Sequence, residues 1–232
     1  TSIEFVGFHL DTTTQIISIT NEHREYSIHR LRDFLTKDNI RVRGMQSITG
    51  SLGWLSFVIL AGRLRRHTFD EAIANSTSTT LKISSRMRRQ ARWWLHTLSK
   101  KDYQGSRFWH IESVQQSLLI RSDASGDHGF GACAANFHLA GCWSDALAPS
   151  IKNNMLFKEA LPLCIMTVLL SPHYPKHIFG DSTDNSGLVF RLNAWSVRCP
   201  LTRRLFKFLR YTMDNVNCWC IADWNDRNQP DV

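Results

Sequence analysis

Long hydrophobic runs are missing from this chain. No stretch approaches the roughly 18 consecutive apolar residues of a transmembrane helix. The opening TSIEFVGF lacks the charged-then-apolar pattern of a secretory signal, so no membrane association is expected. Cysteine is present at 133, 142, 164, 199, 218 and 220, but never as a CxxC pair and never with the histidine spacing of a zinc site. These thiols read as buried groups in a reducing compartment, which places the protein inside the cell, in cytoplasm or nucleus. Acidic residues are in deficit, 20 Asp and Glu against 28 Lys and Arg, leaving a formal charge of +8. A surface of that sign favours a polyanion such as nucleic acid over acidic small molecules. No internal repeat or low-complexity tract is visible. The chain lacks an initial Met and stops at NQPDV, so it reads as a piece of a longer polypeptide.

What is present is ample apolar material, 43% of 232 residues, enough for one large domain or two modest ones. Two regions differ in pattern. Near the start, IEFVGFHLDTTTQIISIT alternates apolar and polar residues around DTTT and predicts a β-hairpin with Ile3, Phe5, Ile17 and Ile19 turned inward. SIHRLRDFLTKDN then carries Ile28, Leu31, Phe34 and Leu35 at helical spacing with Ser27 as a cap, and VRGMQSITGSLGWLSFVILAGRLRRHTFDEAIA continues the helical pattern. ISSRMRRQARWWLHTLSK is apolar at Met87, Trp94, Leu95 and Leu98 and basic at Arg86, Arg88, Arg89 and Arg92. That basic side reads as a solvated helix surface or as a phosphate-facing one. Trp93 and Trp94 read as buried packing in preference to base stacking. A polar stretch, KKDYQGSRFWHIES, marks the boundary between the regions.

From residue 117 the pattern turns mixed. SLLIRSDAS, GFGACAANF and LAGCWS read as three strands separated by turn signals, with Asp127 and His128 in a β-turn. A helix is expected in NMLFKEALPLCIMTVLL, a strand in KHIFGDST, helices in NSGLVFRLNAW and CPLTRRLFKFLRYTMDN, and a last strand in CWCIADW. Cys218 and Cys220 would share its core-facing side. This order predicts an α/β domain on a mixed sheet: three antiparallel strands, then strands added through helical crossovers.

Four carboxylates belong to separate elements of that plan: Asp123 in the first strand, Glu159 in the first helix, Asp184 at the end of the fourth strand and Asp231 near the chain end. Acidic groups brought together from distant positions repel unless hard divalent cations sit among them. Magnesium held this way can position a phosphodiester, activate water and stabilise the leaving oxygen. Asp181, in FGDSTDN, competes with Asp184 for the third position.

The residues that carry this pattern resemble the ribonuclease H (RNase H) domain of retrotransposon polyproteins, in particular the reverse transcriptase–RNase H region of DIRS-like, tyrosine-recombinase elements. SDAS with GFGA resembles that family's tDAS..GwGa, GCWS its G.Ws, KEALPL its KELlPi, TDNSGLVFRLN its cDN.avv..in, and NQPDV its N..AD.LS. In the first region FVGFHLDT resembles fLG..iDt, RGMQSITGSLGWLSFVILAGR resembles relqSLiGkLnfa..vv.pGR, and ARWWLHTL resembles DL.wW...L. Together these cover nearly the whole chain.

The resemblance implies an RNase H-like mixed five-stranded sheet with flanking helices over 117–232. Before it, residues 1–110 would be the end of a reverse-transcriptase palm and a mainly helical thumb or connection. The polymerase carboxylates would lie upstream of Thr1, so this piece would not polymerise DNA. Asp123, Glu159, Asp184 and Asp231 would hold two Mg2+ ions, with Mn2+ as a substitute, and hydrolyse the RNA strand of an RNA–DNA hybrid. The partners implied are that hybrid and the remainder of the polyprotein. Arg86, Arg88, Arg89, Arg92, Arg203, Arg204, Lys207 and Arg210 would follow phosphates. Two departures stand against the family pattern: Pro230 precedes Asp231, and no histidine lies between His177 and Asp231. They leave open a copy that binds nucleic acid without cutting.

Overall fold

The computed structural model describes residues 1–100, 105–107, 117–175, 177–216 and 218–224. The chain divides into two compact units, Thr1–His110 and Ile111–Val232.

In the first unit, β1 (Ser2–Phe5), β2 (Phe8–Asp11) and β3 (Ile16–Ile19) form an antiparallel meander. The expected single hairpin is therefore two. Val6 and Gly7, both at positive φ, reverse the chain before DTTT does, a backbone state that glycine tolerates. That extra reversal puts Ile3 and Phe5 on the edge strand, where they are exposed, and gives the inward place to Phe8 and Ile19. Helix α1 (Asn21–Thr36) follows. It begins earlier than the sequence pattern indicated, and Ser27 lies inside it, donating its hydroxyl to the His23 carbonyl at 2.8 Å. A short strand β4 (Asn39–Arg41) precedes α2 (Val42–Leu55) and α3 (Ala61–Ala74). Strand β5 (Thr80–Lys82) pairs with β4, and α4 (Ser85–Ser99) is capped by Ser84, whose Oγ accepts from Met87 N at 3.2 Å. Strand β6 (Ser106–Arg107) closes the first sheet against β3.

Apolar side chains from all these helices meet in one core that includes Leu31, Phe34, Met45, Leu52, Phe69, Met87, Trp94 and Leu98. Gly62 lies against this core in AGR. A Cβ there would fall 2.1 Å from the Trp94 ring, and Trp94 is fully buried. Glycine at 62 is thus what lets the second tryptophan of the WW pair pack on α3. Trp93 is half-buried and meets Trp94 edge-on.

The second unit is built on β7 (Ser117–Ala124), β8 (Gly129–Ala134) and β9 (Phe137–Cys142). These are antiparallel neighbours. The β8–β9 turn falls at Ala135 and Asn136, earlier than GFGACAANF and LAGCWS indicated, with Ala135 at φ 50° as a tight two-residue hairpin requires. Helices α5 (Pro149–Lys152) and α6 (Met155–Leu170) lead to β10 (Ile178–Thr183). Helices α7 (Ser186–Ala194) and α8 (Pro200–Val216) lead to β11 (Trp219–Trp224). The sheet has the order β11-β10-β7-β8-β9, with β10 parallel to both β7 and β11. This is the mixed α/β architecture expected of the second region: five strands flanked by helices.

One face of the sheet presents Ile120, Ser122, Phe179, Asp181, Cys220 and Ala222, all buried. Helix α6 covers it with Leu163, Cys164, Met166 and Leu170, each large aliphatic side chain contributing about 1.5–3 kcal/mol by leaving water. Cys164, Cys218 and Cys220 are buried as expected, but Cys133 and Cys199 are half-buried and Cys142 is exposed. Among the described residues no helix is long and apolar enough to cross a membrane.

Candidate metal centre

Parallel pairing of β7 and β10 fixes the site. Their register runs to Ser182 opposite Arg121, so Asp123 and Asp184, each two residues further on, leave neighbouring strands at the same end. The carboxyl ends of parallel strands are where open α/β sheets place ligands. Glu159 comes from the second turn of α6. That helix starts where the Asn154 Oδ1 accepts from Phe157 N at 3.0 Å. Ligand atoms of Asp123, Glu159 and Asp184 all lie within 4.8 Å of one another.

Their surroundings differ. Asp123 is exposed, Asp184 half-buried and Glu159 only 4% exposed. Asp123 Oδ1 accepts from the Ala124 amide at 2.9 Å. Asp184 immediately precedes Asn185, which caps α7 by accepting from Leu188 N at 2.9 Å; the amino end of a helix favours a carboxylate. Even so, two unit charges 4.8 Å apart repel by roughly 3 kcal/mol at an effective dielectric of 20. Three carboxylates from three elements form an all-oxygen donor set, which fits a hard divalent cation and no soft one.

Asp181 has a different environment. It is fully buried in mid-strand, with Oδ1 accepting from the Ser122 hydroxyl at 3.3 Å. Oδ2 has no hydrogen-bond partner among the described residues. Burial raises its pKa to about 7, against the lowering effect of Ser122. Cys164 and Cys220 face it, and burial pushes both thiols up, with Asp181 adding to the effect. The carboxylate that joins Asp123 and Glu159 is therefore that of Asp184. Asp231 lies outside the described residues.

Of the basic residues, Arg86, Arg89 and Arg92 are exposed on α4, and Arg86 pairs with Glu71 at 3.3 Å. Arg88 points elsewhere: its guanidinium donates to the carbonyls of Leu35 and Lys37, each at 2.6 Å, and to Asp38 at 2.8 Å. On α8, Arg204 is exposed and Lys207 half-buried. Arg203 and Arg210 are a correction to the sequence reading. Both are buried: Arg203 donates to the carbonyls of Val197 and Arg198, and Arg210 pairs with Asp214 and lies over Trp195 and Trp219. The amphipathic spacing of α8 assigns them inward, because 203, 206, 210 and 213 share one side.

Sequence reasoning passed over Lys158, Trp143 and Ser125, although each sits inside a quoted motif. Lys158 is 1% exposed and donates to the Gly126 carbonyl. The signal was there in KEA, a lysine beside the helix carboxylate, but adjacency in sequence does not tell which of two neighbours points inward.

No protein-family model matches the chain, and no curated protein matches it. Among solved structures it is similar to a foamy viral protease-reverse transcriptase in complex with double-stranded DNA, at 11% identity and a TM-score of 0.41, over 100% of this chain and 38% of that one. A foamy viral protease-reverse transcriptase in complex with RNA/DNA hybrid matches at 12% identity and a TM-score of 0.40, over 99% of this chain and 30% of that one. The chain spans less than half the length of either.

Proposed function

We propose that the second unit is a nuclease of the RNase H type, hydrolysing the RNA strand of RNA–DNA hybrids within a retrotransposon reverse transcriptase. The observation that carries this reading is the meeting of Asp123, Glu159 and Asp184 within 4.8 Å at the carboxyl end of the parallel strands. These three residues would hold the divalent ions, with Asp231 as a fourth carboxylate. Two Mg2+ ions bound there would supply an activated water and charge neutralisation at the leaving 3′ oxygen.

The protein's own residues orient the substrate. Arg204 and Lys207 on α8 would follow phosphates, and the hybrid would be chosen by groove shape and 2′-hydroxyl contacts. The first unit reads as the end of a palm with its thumb or connection, its exposed Arg89 and Arg92 following duplex phosphates. The sequence motifs in FVGFHLDT and ARWWLHTL support that assignment.

A labelled hybrid incubated with Mg2+ tests the proposal. The wild-type chain is expected to release RNA fragments. Asp123→Asn, Glu159→Gln and Asp184→Asn should each lose at least about a hundredfold in rate while binding the hybrid normally in EDTA. Cleavage at the wild-type rate by Asp123→Asn refutes the assignment. Binding without products in the wild type would make this a module that holds nucleic acid without cutting.

A further inference from the structure

Lys158 is a charged group in an expensive place. Burying an ammonium ion costs several kcal/mol unless it is fully paired, and no carboxylate forms an ion pair with Lys158 among the described residues. Its ammonium donates instead to the carbonyl of Gly126 and sits 5.3 Å from the centre of the Trp143 ring. A carbonyl and an aromatic face return only part of that cost. An apolar side chain of the same length would serve stability as well, so the position calls for another explanation.

The contacts converge on the turn that follows Asp123. Ser125 Oγ accepts from the amides of His128 and Gly129, at 2.8 and 2.9 Å, and Ser125 N donates to the Gly129 carbonyl at 2.8 Å. The Trp143 indole donates to the Ser125 carbonyl at 2.8 Å, Trp143 N donates to the His128 carbonyl at 2.9 Å, and the ring packs 4.8 Å from Phe130. Lys158 is the part of this assembly that comes from α6, next to Glu159. Pro162, four residues on in the same helix, has no N–H to give to the Lys158 carbonyl.

We propose that Lys158 is a positioning residue: its buried ammonium, seated on Trp143 and bonded to Gly126, ties the turn after Asp123 to the helix bearing Glu159 and so sets the spacing of those two carboxylates. This rests on the metal-centre reading. It explains jointly why SDAS, GFG, GCWS and KEA occur in one chain: they are the parts of a single clamp.

The test compares wild type with Lys158→Met, which keeps length and loses the donor. The expected result has three parts: amide exchange at His128 and Gly129 at least tenfold faster, Mn2+ affinity by calorimetry lower by about 10- to 100-fold, and hybrid binding in EDTA unchanged. A purely structural lysine would lower the melting temperature but leave Mn2+ affinity of the folded protein intact. Wild-type exchange at both amides, or wild-type Mn2+ affinity in the variant, overturns the proposal. If the wild type itself takes up no Mn2+, the nuclease reading falls, and the exchange rates still decide the clamp. Should Lys158→Met not fold, Trp143→Phe, which keeps the ring and removes the bond to Ser125, is expected to show the same signature at smaller size.

Discussion

Asp181 lies within β10 and Asp184 directly follows it, yet the sheet gives them opposite fates. Asp184 steps off the strand toward Asp123 and Glu159, while Asp181 remains in the interior beside Cys164 and Cys220. With its pKa raised from 3.8 to about 7 by burial, Asp181 binds its proton more tightly folded than unfolded. Its stabilising effect is therefore complete below pH 3.8, declines as pH rises between the two values and is gone above about 7. A shift of that size corresponds to roughly 4 kcal/mol. Asp181→Asn removes the titration, so the variant should gain on wild type by up to about that amount between pH 4 and 8. Urea unfolding in EDTA across this range reads the difference directly; parallel pH profiles for the two proteins would contradict it.

At the scale of elements, the edge strand β11 shows how the sheet is finished. Its neighbour β10 is on one side only, and an open edge leaves backbone groups without partners. Asn193, from α7, fills the gap as a strand would: its Nδ2 donates to the Ala222 carbonyl at 2.8 Å and its Oδ1 accepts from the Ala222 amide at 2.9 Å. Ala222 is buried, so neither group can turn to water. Asn193→Ala should cost about 1–3 kcal/mol and speed exchange of the Ala222 amide. An unchanged unfolding midpoint with a protected Ala222 amide would show that another group closes this edge. The same helix carries the cap that follows Asp184, so the edge and the site share one support.

For the whole molecule the relevant quantity is the excess of positive charge, +8, and where it lies. Charge counted along the sequence overstates what a polyanion meets, since Arg203 and Arg210 are interior and Arg88 is occupied by carbonyls and Asp38. Hybrid binding should weaken linearly in log–log plots against salt. Arg89→Ala and Arg92→Ala should each reduce the slope by about one, measured by fluorescence anisotropy in EDTA. Arg203→Ala should instead lower the melting temperature and leave the slope alone; a slope change there would return Arg203 to the surface.

The sequence by itself determined the order of strands and helices in the second unit, because period-two and helical patterns are local and each fixes which side of its own element is apolar. It also determined that Asp123 and Glu159 stand on separate elements with motif neighbours around them. Only the tertiary structure decided that Asp184 and not Asp181 meets them, since the register of β10 against β7 is a pairing between segments about 60 residues apart. It alone turned Ile3 and Phe5 outward, through a second reversal at Val6 and Gly7 that the DTTT signal overshadowed. It alone took Arg203, Arg210 and Lys158 inside. Long side chains carry an apolar stem and a charged tip, and which of the two the fold uses depends on the carbonyls and rings that other elements bring to them.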